Sequence, residues 1–95
     1  LWYARRQRQK AARNEWIFKQ GLRGTATVLH ASSHATVNEM PLMSLRLDLE
    51  VPGHGTREVK RREIMPVFAA NRMQPGLTLP VYVNPGDPSE FILVW

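Results

Sequence analysis

Strict alternation of apolar and polar residues marks the segment from Leu42 to Val51. From position 45 onward, an aliphatic side chain stands at every second position, and Arg, Asp or Glu stands between. Successive side chains of a β-strand point to opposite faces, so the pattern predicts a half-buried strand with one wet face. Its four aliphatic residues supply the middle of a small core: Leu45, Leu47, Leu49 and Val51.

The segment before this strand predicts a helix that stops and a first strand. Gly21 and Gly24 bracket the helix exit, as expected where a helix must end and turn. The Thr and Val content of 24–31 favours a strand, and the polar run 32–34 is expected to break it. Residues 36–38 are expected to extend the pairing until Pro41, which cannot donate to a ladder, ends it.

The second half of the chain predicts two further turns, one short helix and three more strands. The run Thr56–Ile64 is highly charged and returns after the turn at 52–55, so we expect it at a sheet edge or on the solvent side. The remaining elements are a short helix over 66–73, a strand over 77–83, a rigid turn over 84–88 and a closing strand over 91–95.

These elements predict a mainly β fold. Five short strands, an N-terminal helix and one short helix between strands favour a small curled sheet or barrel of the OB or SH3-like kind. A closed or nearly closed shape also suits a body of only about 70 residues, which must hide its edges to be stable. The predicted organisation is a basic juxtamembrane helix over 1–20 and a small β-barrel domain over 21–95.

Basic charge is concentrated at the start of the chain. Residues 1–23 hold seven basic residues against one acidic residue, a net charge of +6, whereas residues 24–95 hold six against seven, a net charge of −1. The overall charge of +5 is therefore a property of the leader, and the β-rich body is close to neutral. This asymmetry directs the search for a partner of the basic residues to the N-terminus.

The leader is predicted to lie where a membrane helix enters the cytoplasm. Aromatic rings prefer the headgroup level of a bilayer, and Lys and Arg accumulate on its cytoplasmic side. The predicted membrane-surface residues follow that order: Trp2, Tyr3, Arg5, Arg6, Arg8, Lys10 and Arg13. Because the chain begins with Leu1 and contains no apolar run of about 20 residues, the spanning segment is expected upstream. The alternatives are a basic helix that packs 16–18 onto the body, and an amphipathic helix within the headgroups.

Five segments of the body together resemble a known family. The segments are GTATVL (24–29), VNEMP (37–41), the alternating run ending in VPG (45–53), PGLTLPV (75–81) and NPGDP (84–88). They resemble an actinobacterial domain of unknown function from membrane-anchored proteins, some of which carry a short C-terminal SHOCT module. The likeness covers about 21–95 and implies a small β-barrel that follows membrane helices. It implies no activity and no catalytic residues, and relatives usually show Asp where Asn84 stands.

The reactive side chains do not form a recognisable catalytic or metal-binding pattern. The chain has no cysteine, which excludes disulfides and thiolate metal sites. His30 and His34 have a spacing that aligns two ligands only on a helix, and this segment is predicted as strand and turn. The carboxylates form no spaced pair in an apolar setting, and no nucleophile or phosphate-loop motif is present. We therefore predict no enzyme activity, no metal and no cofactor.

The sequence predicts a binding role for the charged strand. Its basic residues Arg57, Lys60, Arg61 and Arg62 are the candidate partner edge, because an incompletely paired strand can accept another chain's strand or associate with itself. The resulting prediction is a non-enzymatic accessory or interaction module of a membrane-anchored protein, held at the cytoplasmic surface by 1–13. The alternative is an OB-like nucleic-acid-binding domain that uses strand 57–62. Glu58 and Glu63, which dilute the basic patch, argue against it.

Overall fold

The computed structural model describes residues 14–95, so the leader residues 1–13 and the membrane-surface role predicted for them lie outside the described residues. Within 14–95 the chain begins with helix α1 over 14–20. The remaining elements are β1 (Leu22–Val37), β2 (Met40–Val51), β3 (Gly55–Ile64), α2 (Val67–Ala70), β4 (Thr78–Asn84) and β5 (Asp87–Leu93).

The five strands form one antiparallel sheet in the order β3-β2-β1-β4-β5. The long strand β1 pairs with β2 over most of its length and with β4 over Leu22–Thr27, which bends the sheet around β1 into a half-barrel. The predicted fold class is confirmed: the chain is mainly β, with five strands in a curled sheet, an N-terminal helix and one short helix between strands. The architecture is a partly open five-stranded half-barrel, of the general kind expected from the sequence.

The concave face of the sheet holds the core. The alternating residues of β2 lie there as predicted, with Leu47 fully buried between Val28 of β1 and Val59 of β3. Met65, Ala69 and Met73 close the same cluster from the segment around α2. Helix α2 spans four residues, whereas the sequence predicted a helix over 66–73, because only Val67–Ala70 keeps helical geometry before the turn at 71–72.

The predicted polar break at 32–34 is wrong. Strand β1 continues through these residues to Val37 and stays paired with β2. The register shifts between Val28 and His30 and again between Ser33 and Ala35, so one extra residue is accommodated at each point. Such bulges interrupt the alternation of side chains without ending a strand. The alternation of apolar and polar residues along β1 is therefore interrupted at these points, although the pairing between β1 and β2 continues.

The prediction that Pro41 ends a strand is also wrong. Pro41 lies inside β2 opposite Thr36, and its carbonyl oxygen accepts a hydrogen bond from the Met65 amide at 3.2 Å. The turn falls two residues earlier. Asn38 and Glu39 connect Val37 to Met40, with φ angles of 50° and 67°. Two successive positive φ angles define the type I′ hairpin turn, for which Asn-Gly is the preferred pair.

Replacing Glu39 with glycine is expected to stabilise the domain by about 0.5–1 kcal/mol, since glycine adopts the left-handed conformation without the steric cost that a Cβ brings. Urea unfolding at low micromolar concentration should show a higher midpoint with an unchanged slope. The matched control is Glu39→Gln, which removes the charge but keeps the Cβ. A similar gain in both variants would assign the effect to the charge and not to the turn.

The C-terminal strand begins earlier than predicted. Strand β5 spans Asp87–Leu93, and Asn84 pairs with Asp87 across a tight turn, whereas the sequence predicted a turn over 84–88 and a strand over 91–95. The apolar alternation of 91–95 predicts that Phe91 and Trp95 lie in the core. Phe91 is buried, whereas Trp95 is 36% exposed because the strand ends at Leu93.

Helix α1 is joined to the barrel by a single residue. Gly21 separates the helix from β1, and its amide donates a 2.7 Å hydrogen bond to the Ile17 carbonyl oxygen. Ile17 is fully buried, and the ring of Phe18 lies 4.9 Å from the ring of Tyr82 on β4. The docking of 16–18 onto the body, stated above as one alternative for the leader, is therefore observed for Ile17 and Phe18.

Candidate functional site

Strand β3, the candidate partner edge, lies at one edge of the sheet, as its charge predicted. The four basic residues named from the sequence do not form one surface. Arg57 and Arg61 stand opposite the buried residues Leu49 and Leu45 and share their face of the sheet. Lys60 and Arg62 point to the outer face. The four basic residues of the candidate partner edge are therefore divided equally between the two faces of the sheet.

The two inner-face arginines span the gap between the two sheet edges. The Arg57 guanidinium donates a hydrogen bond to the carbonyl oxygen of Pro88, which lies on β5. The Arg61 guanidinium carbon lies 4.3 Å from the centroid of the Phe91 ring, within the range of a cation–π interaction. Arg61 also has a nitrogen 3.9 Å from a carboxylate oxygen of Glu63. Arg57 and Arg61 thus contact β5 where no backbone ladder joins it to β3.

Arg61→Ala is expected to destabilise the domain by about 1–2 kcal/mol, because it removes both the cation–π contact and the aliphatic stem that covers the core. Arg61→Met keeps most of the stem and should recover part of that loss. Urea unfolding of both variants separates the two contributions. Equal stability of Arg61→Ala and the unmodified chain would show that this contact does not help to close the barrel.

A basic depression lies on the outer face of β1, β2 and β3. It has a volume of about 410 Å³ and is lined mainly by two rows of side chains that follow the strand register. One row holds His30, Arg46 and Lys60, and the next holds Ser32, Ser44 and Arg62. Cations and hydroxyl donors in adjacent rows suit an anionic ligand.

The basic rows are flanked on one side by an acidic band. Asp48 and Glu58 are opposite one another on β2 and β3, one row away from Arg46 and Lys60, and Glu50 lies one row further. The Glu58 carboxylate lies 3.3 Å from Arg46 Nε, and both side chains are more than half exposed. An exposed pair of this kind contributes about 0–1 kcal/mol to the stability of the fold. Its main effect here is that the Glu58 carboxylate reduces the positive potential around Arg46.

The opposite end of the outer face is apolar. Val37 is paired with Met40, and in the next row Leu42 is paired with Ala35 and Ile64. We call the four large residues Val37, Met40, Leu42 and Ile64 the tip patch. Sequence reasoning missed this surface, because a break was predicted at 32–34 and the strand was predicted to end at Pro41. Val37 and Met40 were therefore not recognised as neighbours across a hairpin turn. The correct register of the first hairpin is the signal that reveals it.

A second cavity lies at the other end of the half-barrel, between β3 and the β4–β5 hairpin. It has a volume of about 190 Å³ and is lined by Leu22, Leu49, Val51 and Val83, with His54, Arg57 and Asn84 among its polar residues. Small-molecule sites usually measure about 300–1,000 Å³, so this cavity is smaller than a typical ligand pocket.

The histidines do not converge. His30 lies on the outer face opposite Arg46, His34 lies at the second bulge of β1, and His54 lies in the turn between β2 and β3, all three exposed. No group of three or more His, Asp or Glu side chains within 14–95 is close enough to hold a metal ion. In the same range, no polar or charged residue is buried.

Comparison of the chain with protein-family models, with curated proteins and with solved structures finds no match. The resemblance to the actinobacterial domain therefore remains a prediction. None of the helices within residues 14–95 has the length and hydropathy that a bilayer crossing requires.

Proposed function

We propose that this chain is a non-enzymatic accessory module of a membrane-anchored protein. Residues 1–13 would hold it at the anionic cytoplasmic surface of the cell membrane, and the barrel would present its outer face to a protein partner. The observation that carries the proposal is the separation of charge, with a net +6 in residues 1–23 and −1 in residues 24–95. Each Lys or Arg near an anionic bilayer contributes about 1 kcal/mol of attraction.

The junction between α1 and the barrel supports this role. Only Gly21 separates the helix from β1, and Ile17 and Phe18 attach the helix to the body. A leader bound at the bilayer would therefore keep the barrel close to it. The exposure of all three histidines fits a binding module better than an enzyme, because catalytic groups usually lie in clefts that shift their pKa.

The test is binding of the 95-residue chain to anionic and to neutral vesicles across a salt series. Neutralising the five basic residues between 5 and 13 with glutamine should weaken binding to anionic vesicles at least about tenfold, because their attraction to the lipid charge is lost. Binding by the unmodified chain should fall as salt rises, since screening reduces the same attraction.

A control variant neutralises three exposed basic residues on the outer face of the barrel, Arg46, Lys60 and Arg62, which should change vesicle binding far less. If the leader variant and the unmodified chain bound anionic vesicles equally, the proposed tether would be wrong.

A second candidate function is nucleic-acid binding through the basic depression. The observation that favours it is position, since Arg46, Lys60 and Arg62 lie on the outer face of β2 and β3, and OB barrels bind oligonucleotides at strands two and three. Single-strand binding also relies on aromatic rings that stack with bases. The two rows that line the depression contain no Phe, Tyr or Trp, and the acidic band adjoins them.

Binding of a single-stranded oligonucleotide across a salt series separates the two functions. A Lys60→Gln, Arg62→Gln variant should lose most of its affinity if this second function holds, and the affinity of the unmodified chain should fall steeply with salt. No binding at low salt would remove nucleic acid from consideration.

A further inference from the structure

We propose that the tip patch is a self-association surface that pairs two copies of this chain about a two-fold axis. This deepens the proposed interaction role by naming a second copy as the partner. It does not depend on the membrane tether, because the patch lies at the end of the sheet remote from α1. The patch is exposed, it is continuous across strands, and charges of opposite sign lie on either side of it.

The tip patch is an exposed apolar surface on regular strands. Val37, Met40 and Ile64 are 37%, 38% and 39% exposed, and Leu42 is half-buried between them. The register places Ala35, Leu42 and Ile64 side by side across three strands, a width of about 10 Å. The exposed apolar side chains in these two adjacent rows form one contiguous surface bordered by polar residues.

The charges beside the tip patch are arranged to complement one another. Along the strands, Arg62 lies in the row next to Leu42 and Ile64, on the side away from the hairpin turn. Glu39 lies in the turn itself, next to Met40. Both residues are exposed. The apolar centre therefore has a positive side and a negative side along the direction of the strands.

A two-fold axis uses this arrangement, because an isologous interface must complement itself. With the axis between the two apolar rows and perpendicular to the strands, Leu42 of one copy lies over Met40 of the other. The same operation brings the turn that contains Glu39 over the row that contains Arg62, twice by symmetry. An apolar centre with two flanking ion pairs is the anatomy of a small protein interface.

Other occupants fit this surface less well. An anionic bilayer would attract Arg62 but repel Glu39 and the acidic band that follows the basic rows. A nucleic acid would meet the same acidic groups and an apolar centre without rings. A second copy satisfies both signs of charge at once, which is why we assign the surface to it.

The experiment is sedimentation equilibrium of the 95-residue chain without lipid, from about 1 μM to about 500 μM, a range that detects the weak dimers that small interfaces form. The unmodified chain should dimerise within this range. Ile64→Glu and Met40→Glu should each raise the dissociation constant at least about tenfold, because each places a charge in the apolar centre. Both sites are exposed in the monomer, so these variants should fold, and circular dichroism checks that they do.

Charge reversal supplies the second arm. Glu39→Lys and Arg62→Glu should each weaken the dimer, whereas the double variant should recover most of the loss, since the symmetric pairs are restored with their signs exchanged. Arg72→Glu, an exposed reversal outside the patch, is the control and should leave the dimer unchanged.

A chain that stays monomeric to the highest concentration would overturn the proposal, and so would a dimer that is indifferent to Ile64→Glu and Met40→Glu. A monomer whose vesicle binding is abolished by the same two substitutions would assign the tip patch to lipid. Because these variants leave residues 1–13 intact, failure here is distinguishable from failure of the tether.

Discussion

Replacing Leu47 with alanine is expected to destabilise the domain by about 3–5 kcal/mol, the upper part of the range measured for buried Leu→Ala changes. Leu47 is fully buried and lies between Val28 and Val59 in the centre of the sheet. The cost includes the lost burial of the side chain and the cavity that remains. The cavity persists because strands on both sides hold the neighbouring side chains in place and keep them from filling it.

Chain length makes this loss severe. A domain of this size has a total stability on the order of 5–15 kcal/mol, so the variant would lose a large fraction of it. Urea unfolding measures the change, and Leu47→Met, which conserves volume, should cost less than about 1.5 kcal/mol. Equal stability of the alanine and methionine variants would mean that the centre of the core lies elsewhere.

Gly24→Ala is expected to cost at least about 2 kcal/mol, a large effect for the addition of one methyl group. A Cβ at this position would lie 2.5 Å from the carbonyl oxygen of Glu50 and 3.1 Å from a methyl group of Val51. The nearest obstacle is backbone, so a change of rotamer cannot relieve it, and β1 and β2 would have to separate. Gly24 pairs with Val81 of β4 and lies one residue before the first pair between β1 and β2, Thr25 with Glu50.

Gly86→Ala is the matched control for that substitution. A Cβ at Gly86 would meet only the side-chain oxygen of Asn84, at 3.5 Å, which is an ordinary contact. Its effect should stay within about 0.5 kcal/mol. Urea unfolding of both variants is the measurement, and if they proved equally stable, β1 and β2 would not approach as closely at Gly24 as the structure indicates.

Regular alternation explains which parts of this fold could be predicted from the sequence. The period of two in Leu45–Val51 identified β2 and its buried face, and the charge of 56–64 identified an edge strand. Both features are local, because each follows from the contrast between neighbouring side chains in one strand. The buried face of β2 follows from the first feature and the edge position of β3 from the second.

Strand β1 shows where local reasoning ends. Its two bulges shift the alternation at Leu29 and His34, and the polar residues that follow resemble a loop until β2 is seen beside them. The turn at Asn38 and Glu39 was equally hidden, because glutamate is unusual in a left-handed conformation. Pairing with β2 outweighs the propensities of these residues.

The candidate site was predicted in composition but not in arrangement. The sequence identified Arg57, Lys60, Arg61 and Arg62, yet it could not show that the strand divides them between two faces. The contacts of Arg57 with Pro88 and of Arg61 with Phe91 join residues 30 or more positions apart, and they depend on the curvature of the whole sheet. Such contacts leave no trace in the spacing of residues along the chain.

The single residue between α1 and β1 couples the direction of the helix to the position of the opposite end of the sheet. One strand of 16 residues runs from the base of the helix to the first hairpin, in a body whose longest dimension is 40 Å. Ile17 and Phe18 pack the helix against the sheet, and Gly21 is the whole connection between the helix and the strand. Because the helix and the sheet are fixed to one another, the sheet follows any rotation of the helix, and the displacement is largest at the first hairpin. The direction of the helix therefore determines where the tip patch lies.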